Sequence, residues 1–199
     1  MEKKDIIDFF DRLAPNWDAQ QVQKDRIISR ILDYCGSVEN KDVLDVACGT
    51  GILFPFYLER NAASVTGVDI SGEMCRIAEK KFSCEDKIKI ICADINDTEF
   101  SGAFDLAMVY NAFPHFVDPK QLMSTVHRSL KEGGRISVAH GLSREAVDKH
   151  HNGAACKVSN GLMSADELAE LMKPWFDVYL TVSNEEMYQV CGIKKNIGE

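Results

Sequence analysis

Apolar residues follow two spacings along the chain, one typical of buried strands and one typical of amphipathic helices. Seven short apolar segments predict strands, at residues 43–46, 64–68, 87–92, 103–110, 136–139, 176–182 and 187–194. Stripes at helical spacing predict helices at residues 4–13, 25–34, 52–60, 71–82, 118–130 and 164–173. The alternation predicts an α/β protein whose mostly parallel sheet is covered on both faces and ends in a hairpin.

The first predicted strand breaks into a glycine turn, and a helix is predicted to follow at once. Residues 43–51 read Val-Leu-Asp-Val-Ala-Cys-Gly-Thr-Gly. Glycine at positions 49 and 51 lets the backbone approach a ligand, while the following helix presents its unpaired N–H groups at the same place. Strand, glycine turn and helix in this order predict a nucleotide-type pocket.

Two residues in this region bear on which ligand the pocket binds. A dinucleotide loop of the form Gly-x-Gly-x-x-Gly needs a third glycine for close packing of helix and strand, and Phe54 stands at that place. The sequence therefore disfavours a nicotinamide dinucleotide. Asp45 lies inside the apolar strand, where a carboxylate is costly without a partner, so we expect a cationic or N–H-rich partner for it.

A second acid follows at the distance expected of a nucleotide-binding unit. Asp69 ends the strand predicted at residues 64–68 and lies 18 residues beyond Gly51. An acid at the tip of the second strand of a βαβ unit can accept hydrogen bonds from ribose hydroxyls. We therefore predict that Asp69 binds a ribose.

The glycine turn and the acid before it form a motif, Asp45-x-Ala47-x-Gly49-x-Gly51. It resembles the first motif of class I S-adenosylmethionine-dependent methyltransferases, acid-x-Gly/Ala-x-Gly-x-Gly. The resemblance implies that the turn cradles the amino-acid end of S-adenosylmethionine and that the acid organises the same pocket. It also implies a Rossmann-like, doubly wound, seven-stranded, mostly parallel sheet with an antiparallel last strand and helices on both faces. It covers nearly the whole chain.

Two further segments extend the resemblance. Residues 10–18, Phe-Asp-Arg-Leu-Ala-Pro-Asn-Trp-Asp, are similar to the N-terminal part of the quinone-biosynthesis methyltransferases, which places Trp17 over the cofactor or substrate. That group more often has tyrosine there, and the alternative is that Trp17 anchors an outer helix. At the third strand end, the resemblance implies that Asp94 contacts the adenine amino group beside Ile95, the alternative being a turn or helix-cap aspartate. The predicted cofactor-binding residues are Trp17, Asp45, Ala47, Gly49, Thr50, Gly51, Asp69, Ile70, Asp94, Ile95 and Asn111.

Four of the five histidines are predicted near one opening of the sheet. His115 follows the fourth strand, His140 ends the fifth, and His150 and His151 lie in residues 141–163. Histidine can act there as a base, a hydrogen-bond donor or a metal ligand, although the spacing matches no zinc pattern. His115 is the first candidate for a catalytic base or substrate-orienting group, followed by His140, His150 and His151.

The composition agrees with one domain, in which residues 1–35 form an N-terminal helical cap and residues 141–163 a substrate-side loop insertion. The 199 residues are 45% apolar, which suits one α/β domain. The net charge of −8 disfavours a protein that binds nucleic acid through its phosphates. No apolar run has the length of a membrane span, and the N-terminus does not resemble a secretory signal. Seven scattered cysteines without a C-x-x-C pair indicate reduced thiols, and hence a cytoplasmic protein.

Together these features predict an enzyme that transfers the methyl group of S-adenosylmethionine to a small-molecule acceptor by direct in-line displacement. The protein would mainly position the reactants and exclude water. One alternative is a non-catalytic regulatory protein that binds S-adenosylmethionine but lacks a cavity beyond Asn111 and His115. The other is a nicotinamide-dependent oxidoreductase, against which Phe54 and Asp45 count.

Overall fold

The computed structural model describes residues 1–20, 24–151 and 156–196, except for the side chains of His150 and His151. Its strands are β1 (Asp42–Val46), β2 (Ser64–Asp69), β3 (Ile88–Cys92), β4 (Phe104–Tyr110), β5 (Leu130–His140), β6 (Phe176–Ser183) and β7 (Tyr188–Lys194). They form one sheet in the order β3-β2-β1-β4-β5-β7-β6. Strands β1 to β5 run parallel, and β7 is antiparallel to both β5 and β6. The predicted seven-stranded, mostly parallel sheet with an antiparallel last strand is confirmed.

The helices are α1 (Lys3–Leu13), α2 (Trp17–Gln20), α3 (Asp25–Cys35), α4 (Phe54–Glu59), α5 (Gly72–Lys81), α6 (Pro119–Ser129), α7 (Arg144–His151) and α8 (Ala165–Met172). Helices α5, α6 and α8 begin where polar side chains accept hydrogen bonds from their first N–H groups. The Ser71 hydroxyl accepts a hydrogen bond from the Met74 N–H and so caps α5. Ser164 and Glu167 form the capping box that the sequence predicts at the start of α8.

Alternate residues of the central strands face two separate apolar cores. In β1, Leu44 and Val46 contact the core built with α6 and α8, whereas Val43 contacts the core built with α3 and α4. All three side chains are completely buried, and burial of such a side chain contributes about 1.5–3 kcal/mol. Helices therefore cover both faces of the parallel part of the sheet, as its near-continuous apolar strands predict.

Two segments differ from the sequence-based expectation. Strand β5 begins at Leu130, and its register against β4 shifts from the pair Phe104–Leu130 to the pair Leu106–Arg135. Residues 131–134, which lie between the predicted helix and the predicted strand, are therefore an irregularity inside β5. The second segment is residues 141–163, predicted as a loop insertion, which contains helix α7 and a 3-10 turn at Cys156–Val158.

The order of the strands places one crevice at the centre of the sheet. From β1 the chain builds β2 and β3 on one side, and it then returns to place β4 on the other side. Ligands of such sheets bind beyond the carboxyl ends of the strands at this reversal, so the polar residues that follow β1, β2, β3 and β4 converge there. Among the described residues, no helix combines the length and apolar character that crossing a membrane requires.

Candidate functional site

The turn after β1 has left-handed backbone at three positions. Ala47, Gly49 and Gly51 have φ values of 56°, 56° and 83°. A Cβ added at Gly49 would point across the cleft toward the Nε1 atom of Trp17, 4.0 Å away. Glycine at position 49 therefore keeps the backbone of the turn open to a ligand beneath Trp17, as predicted.

The absence of a side chain at Gly51 leaves space for the ring of Phe54. A Cβ at Gly51 would lie 2.6 Å from this ring and 2.7 Å from the ring of Phe82. A Cβ at Gly67 of β2 would also lie 2.6 Å from the Phe54 ring, which is fully buried. The close packing that a third glycine provides in a dinucleotide loop is thus replaced here by an aromatic ring set between glycines.

Asp69 at the end of β2 lines the cleft and shapes the glycine turn directly. Its Oδ2 atom accepts a hydrogen bond from the Gly49 N–H at 2.7 Å, and its Oδ1 atom accepts one from the Ser71 N–H at 2.9 Å. Burial raises the pKa of Asp69, and the backbone donors oppose that rise. The acid therefore organises the turn, and contact with a ribose remains a prediction.

Asp45 lies beneath the turn. The expectation of a cationic or N–H-rich partner for its carboxylate is not met among the described residues. No ion pair of those residues includes Asp45, whose side chain faces Tyr57 because the pleat of β1 directs it to the same side as Val43. Burial and the charge of Asp69 raise the pKa of Asp45 well above its ordinary value, and the Tyr57 hydroxyl opposes this effect. Asp45 does not line the cleft, so its predicted role in cofactor binding would be indirect.

Asp94 follows β3 and caps the turn after it, which is one of the two roles considered for it. Its Oδ1 atom accepts a hydrogen bond from the Asn96 N–H at 2.9 Å, which caps the 3-10 turn Ile95–Asp97. Its Oδ2 atom forms an ion pair with the Lys3 ammonium group at 2.5 Å. Asp94 and Ile95 both line the cleft, where contact with an adenine remains a prediction.

Asn111 joins the ends of two strands at the mouth of the cleft. It has a φ of 54°, and its Oδ1 atom accepts a hydrogen bond from the Gly141 N–H at 3.0 Å. A Cβ at Gly141 would lie 2.4 Å from the Tyr110 hydroxyl oxygen, so glycine makes room for that phenol. The polar groups after β4 and β5 are in this way fixed relative to each other.

Among the histidines whose side chains the structure describes, His115 is the one that lines the cleft, in the 3-10 turn Phe113–His115 after β4. Its Nδ1 atom is 2.6 Å from the carbonyl oxygen of Val158. A carbonyl can only accept, so Nδ1 carries the proton of this bond and the lone pair of the neutral ring is on Nε2. The ring edge of Phe10 packs against the imidazole, with 5.0 Å between the ring centroids.

The other candidate histidines do not share this position in the described structure. His140 is 2% exposed and packs edge-on against Tyr188, and it does not line the cleft. The expectation that it opens beside His115 is wrong, because the period of β5 directs it to the same face as Val138. The side chains of His150 and His151 lie outside the described residues. Within the described residues, no group of three or more His, Cys, Asp or Glu side chains could hold a metal ion.

Helix α1 and the turn after it cover the cleft, which encloses about 1170 Å³ of space including open solvent at its mouth. The predicted site residues that line it are Trp17, Ala47, Gly49, Asp69, Ile70, Asp94, Ile95, Asn111 and His115. Sequence analysis missed Phe10, Met74 and Phe116, which also line it. Phe10 lies on the apolar stripe of α1, and that stripe is equally typical of a helix packed on a core. Thr50 and Gly51, which belong to the same turn, do not line the cleft.

A sequence model of the family described as "Methyltransferase domain" matches residues 44–138. This range holds the glycine turn and the acids that follow β2 and β3. The match, the sheet order and the cleft agree with the fold of the class I S-adenosylmethionine-dependent methyltransferases, which the glycine turn and the acid before it also resemble.

Within that class the chain is similar to two curated O-methyltransferases. It is 31% identical over 140 residues to malonyl-[acyl-carrier protein] O-methyltransferase of Acetivibrio thermocellus, covering 69% of this chain and 49% of the relative. It is 32% identical over 109 residues to ubiquinone biosynthesis O-methyltransferase of Pseudomonas paraeruginosa, covering 53% and 46%. The chain thus spans about half the length of these relatives.

Solved structures agree on the fold. A chain of the complex between the Haloferax volcanii Trm112 methyltransferase activator and a putative methyltransferase superposes with a TM-score of 0.79 at 19% identity, covering 93% of this chain and 97% of that chain. PH0226 protein from Pyrococcus horikoshii gives a TM-score of 0.74 at 20% identity, covering 92% and 97%. The predicted Rossmann-like methyltransferase fold is therefore confirmed.

Proposed function

We propose that this protein methylates a hydroxyl group on an apolar small molecule by direct in-line transfer from S-adenosylmethionine. The observation that carries this proposal is the composition of one end of the cleft. There Phe10 contacts both the imidazole of His115 and the ring of Trp17, and Tyr110 and Phe116 line the same cleft. Aromatic walls bind a flat apolar molecule, and one ring nitrogen provides a single site for proton transfer.

The residues at the other end of the cleft fit the cofactor. The turn at Gly49 would hold its amino-acid end, Asp69 its ribose, and Asp94 with Ile95 its adenine. The space that a Cβ at Gly49 would fill lies open beneath Trp17. When bound, S-adenosylmethionine supplies a methyl group activated by a positively charged sulfur, and the acids of the cleft favour that charge.

The charges along the cleft favour an acceptor without a carboxylate or phosphate. Among the described residues that line it, Lys3 is the one lysine or arginine. Its ammonium group is paired with Asp94 at 2.5 Å and with Asp97 at 3.8 Å. An anionic acceptor would lose its hydration in the cleft without gaining a cationic partner, which is unfavourable. A neutral hydroxyl compound has no such cost.

His115 is the group that we assign to the hydroxyl proton. Because Nδ1 donates its hydrogen to Val158, the neutral ring can accept a proton at Nε2. As the new C–O bond forms, the hydroxyl proton moves to Nε2, and the electron pair of the S–CH3 bond stays on sulfur. The named curated relatives are O-methyltransferases, which supports an oxygen acceptor.

A panel of acceptors tests this proposal. Phenols, thiols, amines, quinones and carboxylic acids are each incubated with the protein and S-adenosylmethionine, and the S-adenosylhomocysteine formed is quantified. We expect turnover with phenolic compounds. Turnover confined to carboxylic acids, or the absence of turnover with every phenol while another class reacts, would contradict the proposed acceptor.

Replacing His115 tests its role as a base. We expect His115→Ala to lower turnover about 10²- to 10⁴-fold while the dissociation constant of S-adenosylmethionine changes by less than about twofold. The loss should shrink near pH 10, where a phenol ionises without a base. His127→Ala is the matched control, because the His127 ring bonds the Lys195 carbonyl group away from the cleft. Full turnover in His115→Ala, or a loss that is equal at every pH, would exclude a base at this position.

A further inference from the structure

Residues 1–20 lie over the cleft with little apolar burial of their own. Of the described side chains in this segment, Ile6 and Ala14 are the buried apolar ones. Apolar burial is the main stabilising contribution to a packed helix, so the segment relies on other contacts for its position. These contacts are polar, and they reach the loops after β1, β2 and β3.

Two of these contacts are solvent-exposed on one side. Lys3 pairs with Asp94 in the loop after β3, and the Thr50 hydroxyl of the glycine turn donates to the Asp18 carboxylate at 2.5 Å. Half of the Lys3 side chain is exposed, as is half of that of Asp18. Asp18 also forms an ion pair with Lys81 of α5 at 2.8 Å. Exposed ion pairs contribute only about 0–1 kcal/mol, so neither the Lys3–Asp94 pair nor the Lys81–Asp18 pair alone keeps the segment closed.

The third contact, made by Asp11, is the more enclosed one. Its Oδ1 atom accepts a hydrogen bond from the Ser71 hydroxyl at 2.5 Å and another from the Glu73 N–H at 3.1 Å. Glu73 is in the first turn of α5, whose N–H groups have no partner within the helix and favour a negative charge. Ser71 is completely buried and follows Asp69 by two residues. Asp11 therefore connects α1 to the loop that carries the predicted ribose-binding acid.

The residue before Asp11 serves the opposite end of the cleft. Phe10 packs edge-on against His115 and Trp17, with ring centroids 5.0 and 5.7 Å apart. One turn of α1 thus carries a polar contact to the cofactor end and an aromatic contact to the acceptor end. Displacing Asp11 from Ser71 would move Phe10 as well, because both belong to the same helix.

We infer that Asp11 is a positioning residue, whose Oδ1 atom holds residues 1–20 closed over the cofactor and sets Phe10 and Trp17 at the acceptor end. The assignment of that end of the cleft to the methyl acceptor rests on the proposed function. The cofactor exchanges when the bonds from Ser71 and Glu73 to Asp11 open. Asp11 itself touches neither reactant.

The test uses Trp17 as a reporter of the closed position. The chain has two tryptophans, so a Trp175→Phe background leaves Trp17 as the sole source of indole fluorescence. In this background we compare Asp11→Ala, which removes the acceptor, with Asp11→Asn, which retains an Oδ1 acceptor. Asp8→Ala is the control, since Asp8 is an exposed residue of the same helix that pairs with Lys4.

Two measurements are made on each variant. Acrylamide quenching without ligand reports access to Trp17, and stopped-flow fluorescence reports the dissociation rate of S-adenosylhomocysteine. For Asp11→Ala we expect stronger quenching and dissociation that is about 5- to 30-fold faster. Asp11→Asn keeps the acceptor oxygen but forms weaker, neutral bonds, so its change should be smaller than that of Asp11→Ala, and Asp8→Ala should remain within about twofold of the parent. A purely stabilising role would lower the midpoint of urea unfolding without changing either measurement.

Unchanged quenching and dissociation in Asp11→Ala would overturn the inference, and so would an equal defect in Asp11→Asn. Should Asp11→Ala fail to fold, Asp11→Ser takes its place, because its hydroxyl is too short to reach Ser71. The quenching measurement needs no ligand, so it stands apart from the acceptor panel that tests the proposed function. If Asp11→Ala increases the quenching of Trp17 but the protein methylates no phenol, the proposed function is refuted and the role of Asp11 still stands.

Discussion

Replacing Asp69 with asparagine tests whether this acid shapes the glycine turn and thereby the affinity for the cofactor. Its two carboxylate oxygens accept hydrogen bonds from Gly49 at 2.7 Å and from Ser71 at 2.9 Å. An asparagine has the same shape but one acceptor oxygen, and its NH2 group cannot accept. In Asp69→Asn one of the two backbone N–H groups therefore faces another donor.

The magnitude follows from these two bonds. A hydrogen bond to a charged group contributes about 1.5–3 kcal/mol, and the neutral bond that remains in the variant is about half as strong. The loss is partly offset, because asparagine avoids the burial cost that raises the pKa of Asp69. We expect a net loss of about 1–2 kcal/mol in cofactor binding, which is about 5- to 30-fold in the dissociation constant. Asp69→Ala removes both acceptors and should cost about 2–4 kcal/mol.

Isothermal titration of the parent and variants with S-adenosylhomocysteine measures these losses, with Asp86→Asn as an exposed control in the loop before β3. The 2′-deoxy analogue of the ligand separates the turn from the ribose. If Asp69 also binds the ribose, removing the 2′-hydroxyl weakens binding to the parent more than binding to Asp69→Ala. Binding of S-adenosylhomocysteine to Asp69→Asn within twofold of the parent would refute the assignment of the turn geometry to this carboxylate.

Two further changes test the surroundings of the turn by urea unfolding. Because the pKa of Asp45 is raised in the folded state, protonated Asp45 stabilises the fold below its ordinary pKa near 4, and this contribution is lost as the pH rises. The stability of Asp45→Asn relative to the parent should therefore increase from pH 4 to pH 7. A difference in stability that stays constant over this range would contradict the reasoning. Gly51→Ala should lower the free energy of unfolding by about 2–4 kcal/mol, because φ is 83° and the Phe54 ring would lie 2.6 Å from the new Cβ. Gly102→Ala, with a φ of 56° and open space, should cost only about 1 kcal/mol, so equal losses would exclude the clash as the cause.

The sheet and the cofactor end of the cleft were largely predictable from sequence. Their signals are local: apolar runs mark the strands, and Asp69 and Asp94 directly follow such runs. The carboxyl ends of neighbouring parallel strands meet at one edge, so residues distant in sequence could be brought together by topology alone. Of the predicted cofactor residues, eight line the cleft, and Asp45, Thr50 and Gly51 do not.

What could not be predicted depends on contacts between distant segments. The position of His140 follows from the register of β5, and the irregularity at residues 131–134 makes that register invisible in the sequence. The side chain of Asp45 faces a tyrosine of the next helix, which no charge pattern indicates. The bonds of Asp11 join residues about 60 positions apart, and only the packing of α1 on α5 reveals them.

The two ends of the cleft are built in physically different ways, and this bears on where specificity resides. The glycine turn and Asp69 continue from the largely buried strands β1 and β2, and the turn is shaped by bonds such as that from the Gly49 N–H to Asp69. The acceptor end depends on residues 1–20 and on the carbonyl group of Val158, both outside the matched range 44–138. Because the acceptor end is built by segments separate from the glycine turn, substitutions there can change it without altering the cofactor end. Substitutions of Phe10 should therefore redistribute activity among acceptors, whereas changes at Asp69 should weaken the reaction with every acceptor alike.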